Sequence, residues 1–292
     1  MKVLITGTGG FIGQNAAEYL IQNGADVTGI YHMQKPERIS CRLYACDLAK
    51  ERIENYIGKE KYDAVLHFAG QMRGNRVCQY LDNTVEGTKR LIEYAESAQI
   101  PCFMYISSIS VYGETVAAVD EKSDRINLDD YGISKYLCER LLEDAAIEKR
   151  VVIRLPRILG KGCDLSYPWL PKVTKQMLNH ETVSYMNPEL EYNNMLYVDD
   201  LSVFLLHLIN TSLAGFERFV LGAKGRMKIL DILNLLKQNL SSDSKLIEKK
   251  SDSRNKCYAI NTSHAEAYGF ASRSIEEIIQ KFAQDVREHA AG

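Results

Sequence analysis

The feature that most constrains the fold of this chain lies at its start, where a short apolar run meets a cluster of glycines. Residues 3–5, VLI, predict a β-strand, and TGTGGFIG follows at residues 6–13. Apolar residues then recur at helical spacing through residues 14–23. A glycine turn between a strand and a helix lets the backbone approach a phosphate, which the helix N-terminus attracts. The segment therefore predicts a dinucleotide-binding turn, and the alternative is a purely structural tight turn.

Strands and helices alternate through the first half of the chain. The apolar runs predict strands near residues 26–31, 42–48, 63–68, 102–106 and 151–155, and helices over 51–60, 81–98 and from Tyr131 to about Lys149. This alternation predicts an α/β fold, a Rossmann-type doubly wound parallel sheet, over residues 1–156. Residues 157–292 predict mainly a small C-terminal substrate-binding lobe, and helix 200–210 and the strand near 219–222 return to the first domain. The charge-rich stretch 245–256 predicts a loop.

Charge and cysteine usage exclude several classes of function. The net charge of -2 gives no field that would attract nucleic acid or an anionic membrane. The seven cysteines are scattered without a CxxC pair, which indicates reduced thiols rather than disulfides or a zinc site. The apolar start of the chain is too short for a signal peptide. We therefore expect a cytoplasmic protein that holds no metal.

A second informative segment is DYGISK at residues 130–135, in which Tyr131 and Lys135 are four positions apart. On a helix this spacing places both side chains on one face. An ammonium beside a phenol favours the phenolate, which can exchange a proton with a carbonyl or hydroxyl oxygen. Taken alone, such a pair more often forms part of a solvated helix face. A dinucleotide nearby makes the catalytic interpretation the stronger one.

The end of the second strand bears on the choice between NAD and NADP. An acidic residue usually holds a ribose without a 2′-phosphate at this position. Here Tyr31 and His32 occupy it, and Lys35 and Arg38 follow. These residues favour NADP over NAD, although solvated loop charges would explain the two cations about as well.

Taken together, the motifs resemble the extended short-chain dehydrogenase/reductases, and more narrowly the NAD-dependent epimerase/dehydratase family that acts on nucleotide sugars. The resemblance covers residues 1 to about 240 in order. The matching segments are TGTGGFIG (6–13), DL (47–48), HFAG (67–70), SSISVYG (107–113), YGISK (131–135), Arg154 and YVDD (197–200). Each motif is weak alone, but the combination is specific. It implies a Rossmann-type domain that binds NAD or NADP, beside a small substrate domain.

The resemblance also implies a role for individual residues. Tyr131 would be the acid/base, Lys135 would hold the nicotinamide ribose, and Ser108 would hydrogen-bond the substrate oxygen, with Ser107 as its rival. The cofactor would also contact Gly7, Gly10, Phe11, Ile12, Gly13, Tyr31, His32, Asp47, Leu48, Phe68, Ala69, Gly70, Asn83 and Pro156. His67, in the same segment, is by default a core histidine with satisfied hydrogen bonds.

Departures from the family pattern narrow the chemistry. Related 4,6-dehydratases carry Asp-Glu directly after the Ser108 position, where this chain has Ile109 and Ser110. Neither residue can act as an acid or base at neutral pH, so the sequence argues against dehydration. Arg157 and Lys161 could grip a substrate diphosphate, and surface charge is the alternative.

We therefore predict an NAD(P)-dependent oxidoreductase of a nucleotide sugar, in first place a 4-ketoreductase. Residues 160–163, 170–180 and 195–200 are similar to segments of 4-keto-hexose reductases. One alternative is a 4-epimerase with bound NAD, and a second is a non-catalytic NAD(P)-binding protein. The family also pairs subunits through helices that correspond to 81–98 and 135–149, so a homodimer is permitted.

Overall fold

The computed structural model describes residues 1–114, 118–250 and 259–290. Two compact units divide the chain. The first comprises Met1–Glu114, Glu121–Leu155 and Leu201–Val220. The second comprises Pro156–Asp200, the described residues from Leu221 onward and a short piece before Glu121. The chain therefore leaves the first unit after Leu155 and returns to it once more before finishing in the second.

The described strands follow one another along both units. They are β1 (Lys2–Thr6), β2 (Asp26–Tyr31), β3 (Arg42–Ala45), β4 (Ala64–His67), β5 (Cys102–Ser108), β6 (Lys149–Leu155), β7 (Arg157–Leu159), β8 (Val183–Tyr185), β9 (Glu191–Tyr192), β10 (Met195–Tyr197), β11 (Gly215–Val220), β12 (Met227–Lys228) and β13 (Leu246–Glu248). A seven-stranded sheet in the order β11-β6-β5-β4-β1-β2-β3 organises the first unit. All its strands are parallel. This is the Rossmann-type sheet that the sequence predicted, with β11 added at one edge.

Helices connect these strands. They are α1 (Phe11–Gln22), α2 (Glu54–Ile57), α3 (Val77–Gln79), α4 (Glu86–Ser97), α5 (Asp130–Glu143), α6 (Leu170–Leu178), α7 (Val198–Asn210), α8 (Ile229–Asn239), α9 (Ser263–Ala267) and α10 (Ile275–Ala290). A π-helix, Tyr80–Val85, joins α3 to α4, and a 3₁₀ turn, Ile109–Tyr112, follows β5. No helix in the described part of the chain is long and apolar enough to cross a membrane.

The central strands are apolar on both faces because helices cover both sides of a parallel sheet. Val3, Leu4 and Ile5 of β1 are fully buried, and so are Val65 of β4 and Phe103 of β5. These strands are where the sequence placed them. Because the strands are parallel, the carboxyl ends of β1 to β5 lie at one edge of the sheet, where ligands bind in folds of this kind.

The helix of Tyr131 is shorter than predicted, since α5 ends at Glu143 rather than near Lys149. Just past this end, Arg150 Nη1 donates hydrogen bonds to the carbonyl oxygens of Glu143 and Ala145, at 2.7 and 2.8 Å. Lys149 already belongs to β6, and its ammonium donates to three carbonyl oxygens, those of Leu208, Ile209 and Thr211.

Three further predictions differ from the structure, and the first is the helix expected over 51–60, which is limited to the four residues of α2. The expected regular helix over 81–98 is a π-helix up to Val85 and an α-helix from Glu86. The expected loop over 245–256 contains β13, which pairs in parallel with β8, while residues 251–258 lie outside the described part. The pairing partner of β13 lies some 60 residues away along the chain, so local composition could not reveal the strand.

Within its described residues, the second unit holds three two-stranded ladders, β10 with β7, β12 with β9 and β13 with β8. The helices α8 and α10 pack against each other, and Leu233, Leu236, Ile278 and Phe282 on these helices are fully buried. The cysteines at 41, 46, 78, 102, 138 and 163 are free thiols, and Cys257 lies outside the described residues.

Candidate active site

The glycine turn between β1 and α1 is closely packed. A Cβ atom on Gly13 would lie 2.3 Å from the carbonyl oxygen of Gly7, so only glycine fits at this position. Gly10 is the N-cap of α1, and the first turn of that helix, which holds Phe11 and Ile12, has no acidic residue. The first N–H groups of a helix have no partner within it. The turn therefore has the backbone donors and the positive helix end that a pyrophosphate requires.

The segment after β2 lies directly against this turn. A Cβ atom on Gly9 would be 2.1 Å from the carbonyl oxygen of Gln34. Gln14 Oε1 accepts hydrogen bonds from the backbone N–H groups of Glu37 and Arg38, both at 3.1 Å. Sequence reasoning did not single out Gly9, although the run of adjacent glycines was the available signal. These contacts fix the segment that follows Tyr31 and His32.

The other predicted cofactor contacts of the first unit lie at the same edge of the sheet. Each one ends a strand, follows the carboxyl end of a strand or lies on the π-helix: Tyr31 at the end of β2 and His32 after it, Asp47 and Leu48 after β3, Phe68, Ala69 and Gly70 after β4, and Asn83 on the π-helix. The Asp47 carboxylate lies 3.1 Å from Lys50 Nζ and 3.6 Å from His32 Nε2. The structure thus brings these predicted residues of the first unit to one edge.

Tyr131 and Lys135 lie on the first two turns of α5. Asp129 caps this helix by accepting a hydrogen bond from Gly132 N–H at 2.8 Å. Lys135 is only 5% exposed, and its Nζ donates to the carbonyl oxygen of Ile106 at 3.1 Å. The same Nζ lies 5.9 Å from the ring centroid of Tyr131. The predicted pairing of an ammonium with a phenol is therefore present in the folded unit.

The two serines that end β5 have different partners. Ser107 is buried, and its hydroxyl donates to Glu139 Oε1 at 2.6 Å. Ser108 is partly exposed, and its Oγ lies 3.0 Å from Ser110 Oγ and accepts from Ser110 N–H at 3.2 Å. This difference supports Ser108 over Ser107 as the hydroxyl that can reach a substrate.

The start of α5 lies directly against the turn that follows Ser108. A Cβ atom on Gly132 would lie 2.4 Å from the carbonyl oxygen of Ser110, so the close approach requires glycine. Because Tyr131 directly precedes Gly132 in the chain, this contact also brings the backbone of Tyr131 beside the Ser108–Ser110 turn. The acid/base candidate and the hydroxyl candidate are thus held together by the backbone.

Arg73 is a residue that sequence reasoning missed. It lies on the loop after β4, and its guanidinium carbon is 5.8 Å from the ring centroid of Tyr131. Its Nη2 lies 2.9 Å from both Ser110 Oγ and Asp129 Oδ2. No local pattern indicates this contact, because Arg73, Ser110 and Asp129 stand on separate segments far apart along the chain.

The remaining predicted site residues belong to the second unit. Pro156 lies between β6 and β7, Arg157 begins β7, and Lys161 follows it. The Arg157 guanidinium lies 5.8 Å from the ring centroid of Tyr167. Their roles stay predictions that follow from the resemblance.

His67 is a core residue with both ring nitrogens satisfied, as expected by default. Its Nδ1 is 2.6 Å from Thr6 Oγ1 and its Nε2 is 2.9 Å from Thr88 Oγ1. The Thr88 hydroxyl donates its one proton to the Thr84 carbonyl oxygen, so it must accept from His67. The network thereby assigns the neutral tautomer with hydrogen on Nε2. Burial, aided by the charge of Lys135, lowers the pKa of His67 to about 3.

This shift predicts a loss of stability in mild acid. The unfolded chain takes up a proton on His67 near its ordinary pKa of about 6.5, whereas the folded chain does so only near pH 3. Acid therefore favours unfolding below pH 6.5, by about 2 kcal/mol at pH 5 relative to pH 7. Urea unfolding of His67→Asn at these two pH values should lack this part of the drop. The exposed His207→Asn is the matched control, and an equal drop in both variants would contradict the assignment.

The fold and the edge define a dinucleotide-binding α/β protein with a tyrosine–lysine pair at its ligand edge. Residues 3–222 match the family model described as the NAD dependent epimerase/dehydratase family. The chain belongs to this family.

Individual relatives agree with this assignment. The chain is 24% identical to the UDP-glucose 4-epimerase of Haemophilus influenzae, over 96% of each protein. Its fold is similar to that of the UDP-glucose 4-epimerase of Thermotoga maritima, solved with UDP-glucose, with a TM-score of 0.85, 20% identity, and coverage of 99% of this chain and 100% of that one. It is also similar to the UDP-glucuronic acid 4-epimerase of Bacillus cereus in complex with NAD, with a TM-score of 0.81, 23% identity and coverage of 99% of each chain.

Proposed function

We propose that this enzyme inverts C4 of a nucleotide sugar, with Tyr131 as the group that moves the proton. The observation that carries the role of Tyr131 is the buried Lys135 ammonium beside it, next to Ser108 at the ligand edge of the sheet. The names of the relatives, UDP-glucose 4-epimerases among them, support inversion at C4.

The glycine turn and the carboxyl edge fit a dinucleotide, because Gly13 leaves room for a close turn and α1 presents free N–H groups. NAD(P), when bound, supplies hydride chemistry at the sugar carbon. Tyr131 would accept the proton of the C4 hydroxyl as the carbonyl forms and return it when the hydroxyl is restored. Ser108 would donate a hydrogen bond to the same oxygen, and Lys135 would stabilise the phenolate.

The second candidate is a nucleotide-sugar 4-ketoreductase, which uses the same three residues for one direction only. The similarity of residues 160–163, 170–180 and 195–200 to 4-keto-hexose reductases favours it. The two functions differ in whether the cofactor is regenerated on the enzyme or consumed.

Purification followed by heat release tests the choice. We expect the released cofactor to be NAD in near-stoichiometric amount, and the protein to interconvert UDP-glucose and UDP-galactose without net formation of NADH. Consumption of one reduced cofactor per product, with a 4-keto nucleotide sugar, would instead establish the reductase. If the dinucleotide stays bound while no carbonyl compound or nucleotide sugar is oxidised or reduced, the protein is a non-catalytic binder and both proposals are wrong.

The choice between NAD and NADP stays a prediction on which three observations bear. Tyr31 ends β2 and His32 follows it, so this position has no carboxylate, and Lys35 comes shortly after, which favours a 2′-phosphate. The Arg38 guanidinium, however, lies 3.8 Å from the Glu18 carboxylate, which already balances part of its charge. The related solved epimerase from Bacillus cereus holds NAD. The heat-release experiment, for which we expect NAD, decides between the two cofactors.

The proposal also covers substrate binding by the second unit and the pairing of subunits. Arg157 and Lys161 would bind the diphosphate of the substrate as cations. Pairs of subunits would form through α4 and α5, as the resemblance implies. Exposed apolar side chains at Ile133 and Leu137, four positions apart on α5, support such an interface. Light scattering of the purified protein measures the oligomeric state directly.

A further inference from the structure

Arg73 is held at the site from two directions. On one side, its guanidinium holds the residue in place: Nη2 lies 2.9 Å from Asp129 Oδ2 and 2.9 Å from Ser110 Oγ. Asp129 is the N-cap of the helix that carries Tyr131, and Ser110 is the hydrogen-bond partner of Ser108. The guanidinium therefore links the start of the tyrosine helix to the turn that carries the candidate substrate hydroxyl.

The second direction is the backbone of its loop, which the π-helix fixes. Tyr80 on this helix donates a hydrogen bond from its hydroxyl to the Met72 carbonyl oxygen at 3.0 Å and accepts one from Asn75 N–H at 3.2 Å. Thr84, one turn later, accepts from Gln71 N–H at 2.9 Å. Arg73 is exposed as a side chain, but the residues on both sides of it are anchored.

The Tyr80 ring also contacts the Tyr131 ring, with centroids 6.0 Å apart. The π-helix thus touches the acid/base candidate and, through the loop, places a cation over its face. π-helical turns are rare and often occur at functional sites. The arrangement gives Tyr131 one cation from its own helix and a second from the β4 loop.

The charged and titratable groups around Tyr131 come from four elements. Lys135 and Asp130 lie on α5, and Asp129 caps it. The others are Arg73 from the loop after β4, Tyr80 from the π-helix and Tyr105 from β5, whose ring faces Lys135 Nζ at 5.0 Å. Arg73 and Asp129 carry opposite charges, so they have opposite effects on the stability of a Tyr131 phenolate. Their ion pair reduces the effect of each.

We propose that Arg73 is a positioning residue for Tyr131, which favours its phenolate form and holds the ring against the Ser108–Ser110 turn. The proposal rests on the proposed function in that Tyr131 is the acid/base. An aromatic ring with a cation within about 6 Å of its centroid is attracted to it, and a phenolate more so. Asp129 sets the strength of the effect by its pairing with Arg73.

A titration of the tyrosinate absorbance at 295 nm tests the proposal without any substrate. The signal of Tyr131 is the difference between each protein and the same protein carrying Tyr131→Phe. Arg73→Gln should raise the midpoint by about half a pH unit, the size that Coulomb's law gives for a unit charge about 6 Å away in water. Asp129→Asn should lower it, because asparagine keeps the helix cap and removes only the negative charge.

Matched variants separate charge from structure. Arg73→Lys keeps the charge and should keep the midpoint, whereas Arg76→Gln removes the same charge from the same exposed loop and should leave the midpoint unchanged. High salt should shrink the Arg73→Gln shift, because the pair is near solvent. An unchanged midpoint in Arg73→Gln, or shifts of the same sign in Arg73→Gln and Asp129→Asn, would overturn the proposal.

The pH profile of turnover gives the second readout, and its midpoint should move with the titration in each variant. A wild-type protein that turns over no nucleotide sugar, but whose tyrosinate midpoint shifts as described, would sink the proposed function and leave the electrostatic role of Arg73 standing. If the protein is active but its titration midpoints do not change in Arg73→Gln, the proposed function stands and the electrostatic role of Arg73 is wrong.

Discussion

Replacing Tyr131 with phenylalanine is expected to lower kcat by about 10²–10⁴-fold, the range that a positioned acid/base contributes. The change removes one oxygen from the ring that lies between Lys135, Tyr80 and Arg73. The ring itself remains, so packing and dinucleotide affinity should change little. The measurement is the rate of interconversion of UDP-glucose and UDP-galactose at saturation, together with the amount of cofactor that co-purifies.

Tyr136→Phe is the matched control for this prediction. It makes the same chemical change on the same helix, at a ring that faces the Arg125 guanidinium at 4.2 Å instead of the Tyr131 cluster. We expect it to retain activity near that of the unmodified protein. Activity of Tyr131→Phe at the level of Tyr136→Phe would mean that another group moves the proton, and the proposed role of Tyr131 would be wrong.

The parts of the site that the sequence predicted are those with local signals. The glycine turn stands between a strand and a helix in one continuous segment, and Tyr131 and Lys135 share a helix face because of their spacing. The sheet edge follows from parallel strands, whose carboxyl ends coincide. These features need only neighbouring residues and the rules of parallel sheets, so a single sequence carries them.

The parts that the sequence did not predict depend on contacts between distant segments. Arg73 and Ser110 are 37 positions apart, and no pattern in either segment indicates that the two residues are in contact. The six residues of the π-helix are too few to show an apolar spacing different from that of the α-helix expected over 81–98. Glu139 is an intermediate case, because it continues the four-residue spacing of Tyr131 and Lys135 onto a third turn. Its partner, Arg154, was visible as a motif residue, but only the fold joins the two.

Replacing Glu139 with glutamine is expected to lower the free energy of unfolding by about 3–5 kcal/mol, the cost of leaving a buried charge without its partner. Both Glu139 and Arg154 are 0% exposed, and they form two hydrogen bonds at 3.0 and 2.7 Å. Burial alone would disfavour the guanidinium charge, but the hydrogen bonds and attraction of Glu139 outweigh it and raise the pKa of Arg154. Urea unfolding at pH 7 measures the loss.

Glu143→Gln, one turn later on the same helix, separates burial from pairing. Glu143 also pairs with arginines, Arg140 and Arg218, but at the partly exposed end of α5, where such pairs contribute about 0–1 kcal/mol. A double variant, Glu139→Leu with Arg154→Met, should regain much of the stability lost in Glu139→Gln, because it removes both charges together. Equal losses in Glu139→Gln and Glu143→Gln would show that Arg154 finds other compensation, for which Tyr112 and the Glu121 carbonyl are in place.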